Sequence, residues 1–239
     1  MRCINEIDDD SDWIWLLGDD DLPAPECVNE FYCFLESNSL KLVPDDVRII
    51  RFSYYRISLD GLKSSVLIQP EMELSTDSFI RKLKGLNKSS LSEYIFSAKE
   101  IRQYGFYPFP MAWFSDDLAV LQCSGFSFVF SINSSSVGVR ITDKSKSGSR
   151  GLTIDKNKSL ARFMFFNKLT NENQNKLKYS DMRIILRDYL ASCLNEKKSI
   201  SLFLIFYKSV YYKCFFELFY FSIVKSFRIL MVKFANAVK

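Results

Sequence analysis

Apolar and polar positions change period several times along the chain, and each change marks an element. Residues 12–17 form a short apolar run built on Trp13, Ile14, Trp15, Leu16 and Leu17, the pattern of a core strand. Pro25 suits the first turn of a helix over roughly 25–37, whose Val28, Phe31, Phe34 and Leu35 share one face. Val47 to Phe52 reads as a strand and Ser65 to Ile68 as a short one. Thr76 or Asp77 caps a helix that runs through Leu83 and stops at Gly85. Tyr94 to Phe96 reads as a strand, Ala98 to Tyr104 as a helix, and Ser115 to Cys123 as another. The stretch from Gly105 to Pro110 holds two prolines and is irregular. Phe126 to Ile132 and Ser136 to Ile141 read as two β runs split by an Asn-Ser turn, and Asp143 to Ser149 as a polar loop. Helices follow over roughly 156–168 and 172–194, and residues 199–237 form a long aromatic helix or helix pair. Early strands alternating with helices predict an α/β layer architecture, and no internal repeat is present.

Composition adds two constraints. The chain of 239 residues contains no histidine, which excludes Ser-His-Asp and Cys-His catalysis and any histidine base or ligand. Its six cysteines have no CxxC pair and no regular spacing, so they read as small apolar residues of a reducing compartment. Net charge is only +4, but it is unevenly spread: residues 1–46 carry 13 acids against Arg2 and Lys41, and residues 140–239 carry 20 Lys/Arg against seven acids. An acidic front suits a cation and a basic rear suits an anionic surface. The alternative is an acidic loop with solvated helix faces. The basic residues are scattered along helices without a nucleic-acid-binding motif, so no nucleic-acid partner is expected. The N-terminus is acidic and lacks the apolar core of a signal peptide.

The tail holds twelve Phe/Tyr residues over 199–237, and Glu217 is its only acid. Lys208, Lys213, Glu217, Lys225 and Arg228 interrupt every stretch long enough to span a bilayer. Two readings stand side by side: a basic-aromatic helix lying on a membrane surface, or a helix packed on the main domain or on a partner.

Candidate chemistry lies in two acidic motifs. Asp19, Asp20 and Asp21 follow the first strand, where open α/β sheets place ligands, and their hard oxygens suit Mg2+ or Mn2+. Asp116 and Asp117 follow Ser115 at a helix start. There they serve either the helix dipole, with Ser115 as cap, or proton transfer from a substrate.

The run Trp13 to Pro23 resembles the metal-binding strand and loop of family 2 glycosyltransferases, as found in bacterial polysaccharide and O-antigen gene clusters. Phe109 to Asp117 is similar to that family's acceptor-side acidic motif, and Val139-Arg140-Ile141-Thr142 to the segment that follows it. The resemblance covers residues 12–168, with both acidic motifs in the family's order and separation. It implies an A-type nucleotide-sugar-binding α/β fold over residues 1–168, with helices flanking the sheet, and a helical, basic-aromatic C-terminal appendage over 169–239. By it, Asp21 and Asp19 hold a Mg2+ or Mn2+ ion, and Asp19 and Asp20 contact ribose or phosphate. Asp117 is the general base with Asp116 beside it, Trp113 lines the acceptor pocket, and Arg140 meets the diphosphate. The family's opening base-binding strand has no counterpart ahead of Trp13, so the expected sheet is incomplete at its N-terminus, lacking its first βα units. Many relatives also carry a late histidine near the metal, which this chain lacks.

The expected function is transfer of a sugar from a nucleotide diphosphate to a lipid-linked or oligosaccharide acceptor, in the cytoplasm at the inner face of the plasma membrane. A peripheral membrane contact through 199–239 is part of that expectation. The alternative is a non-catalytic remnant that binds a membrane or a partner.

Overall fold

The computed structural model describes residues 12–38, 47–141, 151–196 and 199–237. The chain divides into two compact units, Met1–Pro108 with Ser115–Gly151, and Phe109–Phe114 with Leu152–Lys239. The boundary expected at residue 168 falls inside a helix that belongs wholly to the second unit. The loop expected at Asp143 to Ser149, the acidic segment before Asp12, and Cys3 lie outside the described residues.

The first unit is mixed α/β. Its elements in chain order are β1 (Trp13–Trp15), β2 (Leu22–Pro23), α1 (Cys27–Asn38), β3 (Ile49–Ile57), β4 (Met72–Leu74), α2 (Ser75–Leu83), β5 (Tyr94–Ser97), α3 (Ala98–Tyr104), α4 (Ser115–Cys123) and β6 (Phe128–Arg140). The strands make one mixed sheet in the order β1-β5-β3-β6-β2, with β4 also paired to β6. β3 and β6 run parallel; the other pairs are antiparallel.

Alternation along the strands builds a core on each face. Ile49, Tyr94, Phe96 and Val129 pack with Ala98 and Ile101 of α3 and Ala119, Val120 and Cys123 of α4. Their chain neighbours Ile50, Ile95 and Phe130 turn the other way, to Cys27 and Phe31 of α1.

The two β runs expected around residue 133 are one strand. Opposite β3, the register steps from Phe52↔Ile132 to Ser53↔Ser136, so Asn133, Ser134 and Ser135 form an excursion in the ladder. These polar residues read as a turn in sequence because they leave the ladder without ending it. Asn133 donates through Nδ2 to the Gln69 carbonyl at 2.8 Å, and its Oδ1 accepts the Gln69 N–H at 3.1 Å. The strand expected at Ser65 to Ile68 is reduced to an isolated bridge between Tyr54 and Leu67. Leu74, not Thr76 or Asp77, precedes the first turn of α2, with no side-chain cap.

The second unit is helical: α5 (Leu152–Glu172), α6 (Tyr179–Glu196), α7 (Ser199–Tyr211) and α8 (Phe215–Ala237). Phe165, Phe166 and Leu169 of α5 and Met182, Ile185, Leu186 and Leu190 of α6 are fully buried. The segment 109–114 joins this unit through rings: Phe114 stacks on Phe165 at 4.7 Å, and Phe109 meets it edge-on at 6.0 Å. Among the described residues, no helix is long and apolar enough to cross a membrane.

Candidate metal and acid–base site

The loop after β1 is held from below by one serine. Ser92 donates its hydroxyl to Asp21 Oδ2, accepts the Gly18 N–H at 2.9 Å, and receives the Trp15 indole N–H on its carbonyl at 2.9 Å. The other Asp21 oxygen, Oδ1, accepts the Arg140 N–H at 3.0 Å. Arg140 is 119 residues away in sequence. It arrives because Leu22 and Pro23 of β2 pair with Gly138 and Val137 near the end of β6. Its Nε also lies 3.4 Å from the Asp20 carbonyl. Gly18 is required by the close approach, since a Cβ there would stand 2.8 Å from Asp21 Oδ2. Asp19 and Asp20 expose their side chains at the same rim. The structure therefore brings Arg140 to Asp21 and to the backbone of Asp20, with exposed Asp19 next to them in the chain.

Among the described residues, no three Cys, Asp or Glu side chains gather as a ready-made metal cage. The donor set suits a different arrangement. An ionised carboxylate offers about four acceptor sites, and Ser92 and Arg140 occupy two of those on Asp21. Mg2+ is commonly held by one or two carboxylates together with substrate phosphates and waters. Of the triplet, Asp21 is the carboxylate that the fold fixes in place, with Asp19 exposed two residues before it.

The second acidic motif is built differently. Met111, Ala112 and Phe114 have φ of 58°, 56° and 67°, left-handed values that non-glycine residues rarely adopt. Ser115 then opens α4, but its hydroxyl donates to the Tyr107 carbonyl at 2.6 Å, an anchor between segments instead of the expected cap. Asp117 is buried and its Oδ1 lies 2.6 Å from Lys82 Nζ. Lys82 also donates to Ser89 Oγ at 2.8 Å. Burial, helped by the neighbouring charge of Asp116, pushes the Asp117 carboxyl up to about 6 against the pull of Lys82. Lys82 is held above the usual lysine range: burial opposes its charge, but the two aspartates outweigh it. Burial and the lysine thus pull the Asp117 carboxyl in opposite directions, and burial prevails. A cavity of about 10 Å3, room for roughly one water, is lined by Lys82, Asn87, Ser89, Tyr94 and Asp117, among others.

Several polar residues here left no local mark in the sequence as site residues. Ser89 touches the Lys82–Asp117 pair and Ser92 touches Asp21, so one short stretch of chain supports both acidic motifs. The cavity at Asp117 is not lined by Asp19, Asp20 or Asp21. Glu93 is buried between them in chain order, and burial pushes it up to about 8. Its Oε1 accepts the Ser90 N–H at 3.1 Å, closing the capping box that the Ser90-x-x-Glu93 spacing signals. Arg51, fully buried on β3, pairs with Glu73 and donates to Ser78 Oγ at 2.8 Å. Arg81 reaches the same Glu73 carboxylate at 2.6 Å. A second cavity, about 230 Å3, is lined by Tyr54, Arg56, Ser64, Ser65, Asn87 and Lys88, among others. Asn87 lines both cavities. Trp113 belongs to the second unit, where Lys158 Nζ stands 4.7 Å above its ring.

In comparisons with known proteins, the chain matches no family model and no curated protein.

Proposed function

We propose that the chain is a metal-dependent glycosyltransferase of the family 2 kind, with an A-type nucleotide-sugar sheet. It would move a sugar from a nucleotide diphosphate to a lipid-linked or oligosaccharide acceptor in surface polysaccharide synthesis, at the inner face of the plasma membrane. The observation that carries this reading is the meeting of Arg140 with Asp21 and the Asp20 backbone at one rim, a cation and an acidic loop drawn from opposite ends of the first unit. Mg2+ or Mn2+ held by Asp21 and Asp19 would neutralise the leaving diphosphate. Arg140 would take the same diphosphate through its guanidinium. Lys82 holds Asp117 Oδ1 beside a cavity with room for about one water, so Asp117 would take the proton of the acceptor hydroxyl through that water. A carboxylate that titrates near 6 is matched to a base working at neutral pH. The cavity with Arg56 and Lys88 beside Asn87 suits a phosphate-bearing acceptor.

The test is sugar transfer from a panel of nucleotide diphosphate sugars, with Mn2+ and with chelator. Transfer that depends on the metal and is lost in Asp21→Ala supports the reading; full transfer by Asp21→Ala overturns it.

One observation favours a second reading, a binding protein without turnover. Lys82 sits on the carboxylate assigned as base. Calorimetric binding of a nucleotide sugar that is never consumed would select this alternative.

A further inference from the structure

The second unit carries its apolar side chains outward on its last two helices. On α8, Phe216, Tyr220, Ile223, Phe227 and Met231 follow the three- and four-residue steps of one helix face. All are exposed, Phe216 to 85% and Phe227 to 62%. The opposite face buries Cys214, just ahead of the helix, and Leu218. Helix α7 repeats the arrangement: Phe203, Tyr207, Val210 and Tyr211 are exposed, and Ile205 and Ser209 are buried. Phe206 joins the two faces, its ring 5.8 Å from Phe215 and 6.3 Å from half-exposed Phe219. A surface helix ordinarily turns such a stripe to the core, and a contiguous exposed patch marks an interaction site.

Charge at the edge of the patch selects the occupant. At 100° per residue, Glu217 and Arg228 fall on the same side of the α8 stripe. There Glu217 pairs with Arg183 of α6. The two line a cavity of about 290 Å3 with Ser180, Ile184 and Arg187. Arg183 and Arg187 stand one helical turn apart, and Glu217 offsets only one of them. Lys213 occupies the turn between α7 and α8. Phe and Tyr on one face with cations at its border is the composition of helices that lie in a bilayer interface. Guanidinium groups at that depth match lipid phosphates.

We propose that α7 and α8 rest on an anionic phospholipid surface. Their exposed faces enter the headgroup–acyl boundary, and the cavity of Ser180, Arg183 and Arg187 takes a lipid phosphate. This inference does not depend on the transferase reading, since every residue in it belongs to the second unit.

The test is co-sedimentation of the full chain with vesicles of phosphatidylcholine alone, or with about one third phosphatidylglycerol, at low and high salt. Expected is binding to the anionic vesicles, at least tenfold stronger than to the neutral ones and weakened by salt. Phe216→Ser/Tyr220→Ser/Phe227→Ser, all exposed positions that leave the helical circular-dichroism signal unchanged, abolishes it. Arg183→Gln/Arg187→Gln lowers the preference for anionic vesicles by roughly thirtyfold, as expected when each of two cations near the surface contributes about 1 kcal/mol. Asp21→Ala binds vesicles as wild type does, whether or not it transfers sugar. Failure to bind anionic vesicles overturns the proposal, as does unchanged binding by the triple variant. A dimer in sedimentation velocity that the triple variant breaks, without vesicle binding, would assign the face to a second copy instead. Equal anionic preference in the arginine variant removes the phosphate cavity from the proposal.

Discussion

Carboxylates at the rim of the first unit and carboxylates inside it are held in opposite ways. Asp21 is fixed by neutral donors, a serine hydroxyl and a backbone N–H, and its neighbours Asp19 and Asp20 face solvent. Glu73 and Asp117 instead answer to the side chains of Arg51, Arg81 and Lys82. At the rim no side-chain cation holds Asp21 directly, and the nearest one, Arg140, reaches the Asp20 carbonyl. The interior cannot tolerate an unpaired charge, so each acid there is tied to the fold. The same residue type is therefore held loosely in one place and tightly in the other, and only the partner tells them apart.

The contrast can be tested from its largest consequence down. Glu73→Ala leaves Arg51 charged and fully buried, and should cost about 3–5 kcal/mol in urea unfolding. Asp21→Ala gives up two hydrogen bonds and should cost only about 1–2 kcal/mol, yet lose about 100-fold or more in sugar transfer, a typical scale for one electrostatic contact to a developing charge. A large loss of stability in that variant would erase the distinction between rim and interior. Gly18→Ala drives a methyl against Asp21 and should cost about 1–3 kcal/mol, the range for overpacking; donor affinity should fall with it.

The pH response sharpens the interior side. Glu93 has an ordinary value of 4.5 and is pushed up to about 8 in the fold. The folded state holds that proton more tightly than the unfolded one. Its contribution to stability is therefore full below about 4.5 and lost as pH rises through about 8. Asp117 acts with the same sign up to about 6. Glu93→Gln should flatten the fall in melting temperature between those limits. A wild-type curve that rises over the same range would contradict the burial assigned to Glu93. The smallest effect is expected for Asp20→Asn, within about 0.5 kcal/mol of wild type in unfolding, as for ordinary surface changes.

Much of the scaffold was legible from residue pattern. β1, β3, β5 and α1 to α4 lie where apolar periodicity and Gly or Pro punctuation place them, since those signals are local. β2 and β4 were not, because Leu22-Pro23 and Met72-Glu73-Leu74 sit in acidic, proline-bearing stretches, without the longer apolar run that marks β1. The aspartate triplet and Arg140 stood out as charges, but their meeting depends on the pairing of β2 with β6, which no local window contains. Lys82 in the last turn of α2 and Ser92 in the short turn Leu91–Glu93 carry no local signal of a site. Their roles come from contacts 35 and 71 residues away.

The polar excursion in β6 leaves the ladder after Ile132 and rejoins it at Ser136, opposite the very next residue of β3. Inward and outward faces match on both sides of it. The residues of the excursion are themselves anchored: Asn133 holds the Gln69 backbone, and buried Ser135 meets Cys27 Sγ at 3.1 Å, so Val137 returns to the core in register. The break in the ladder is a fastener, tying the sheet to the Gln69 segment and to α1 while the strand keeps its two faces.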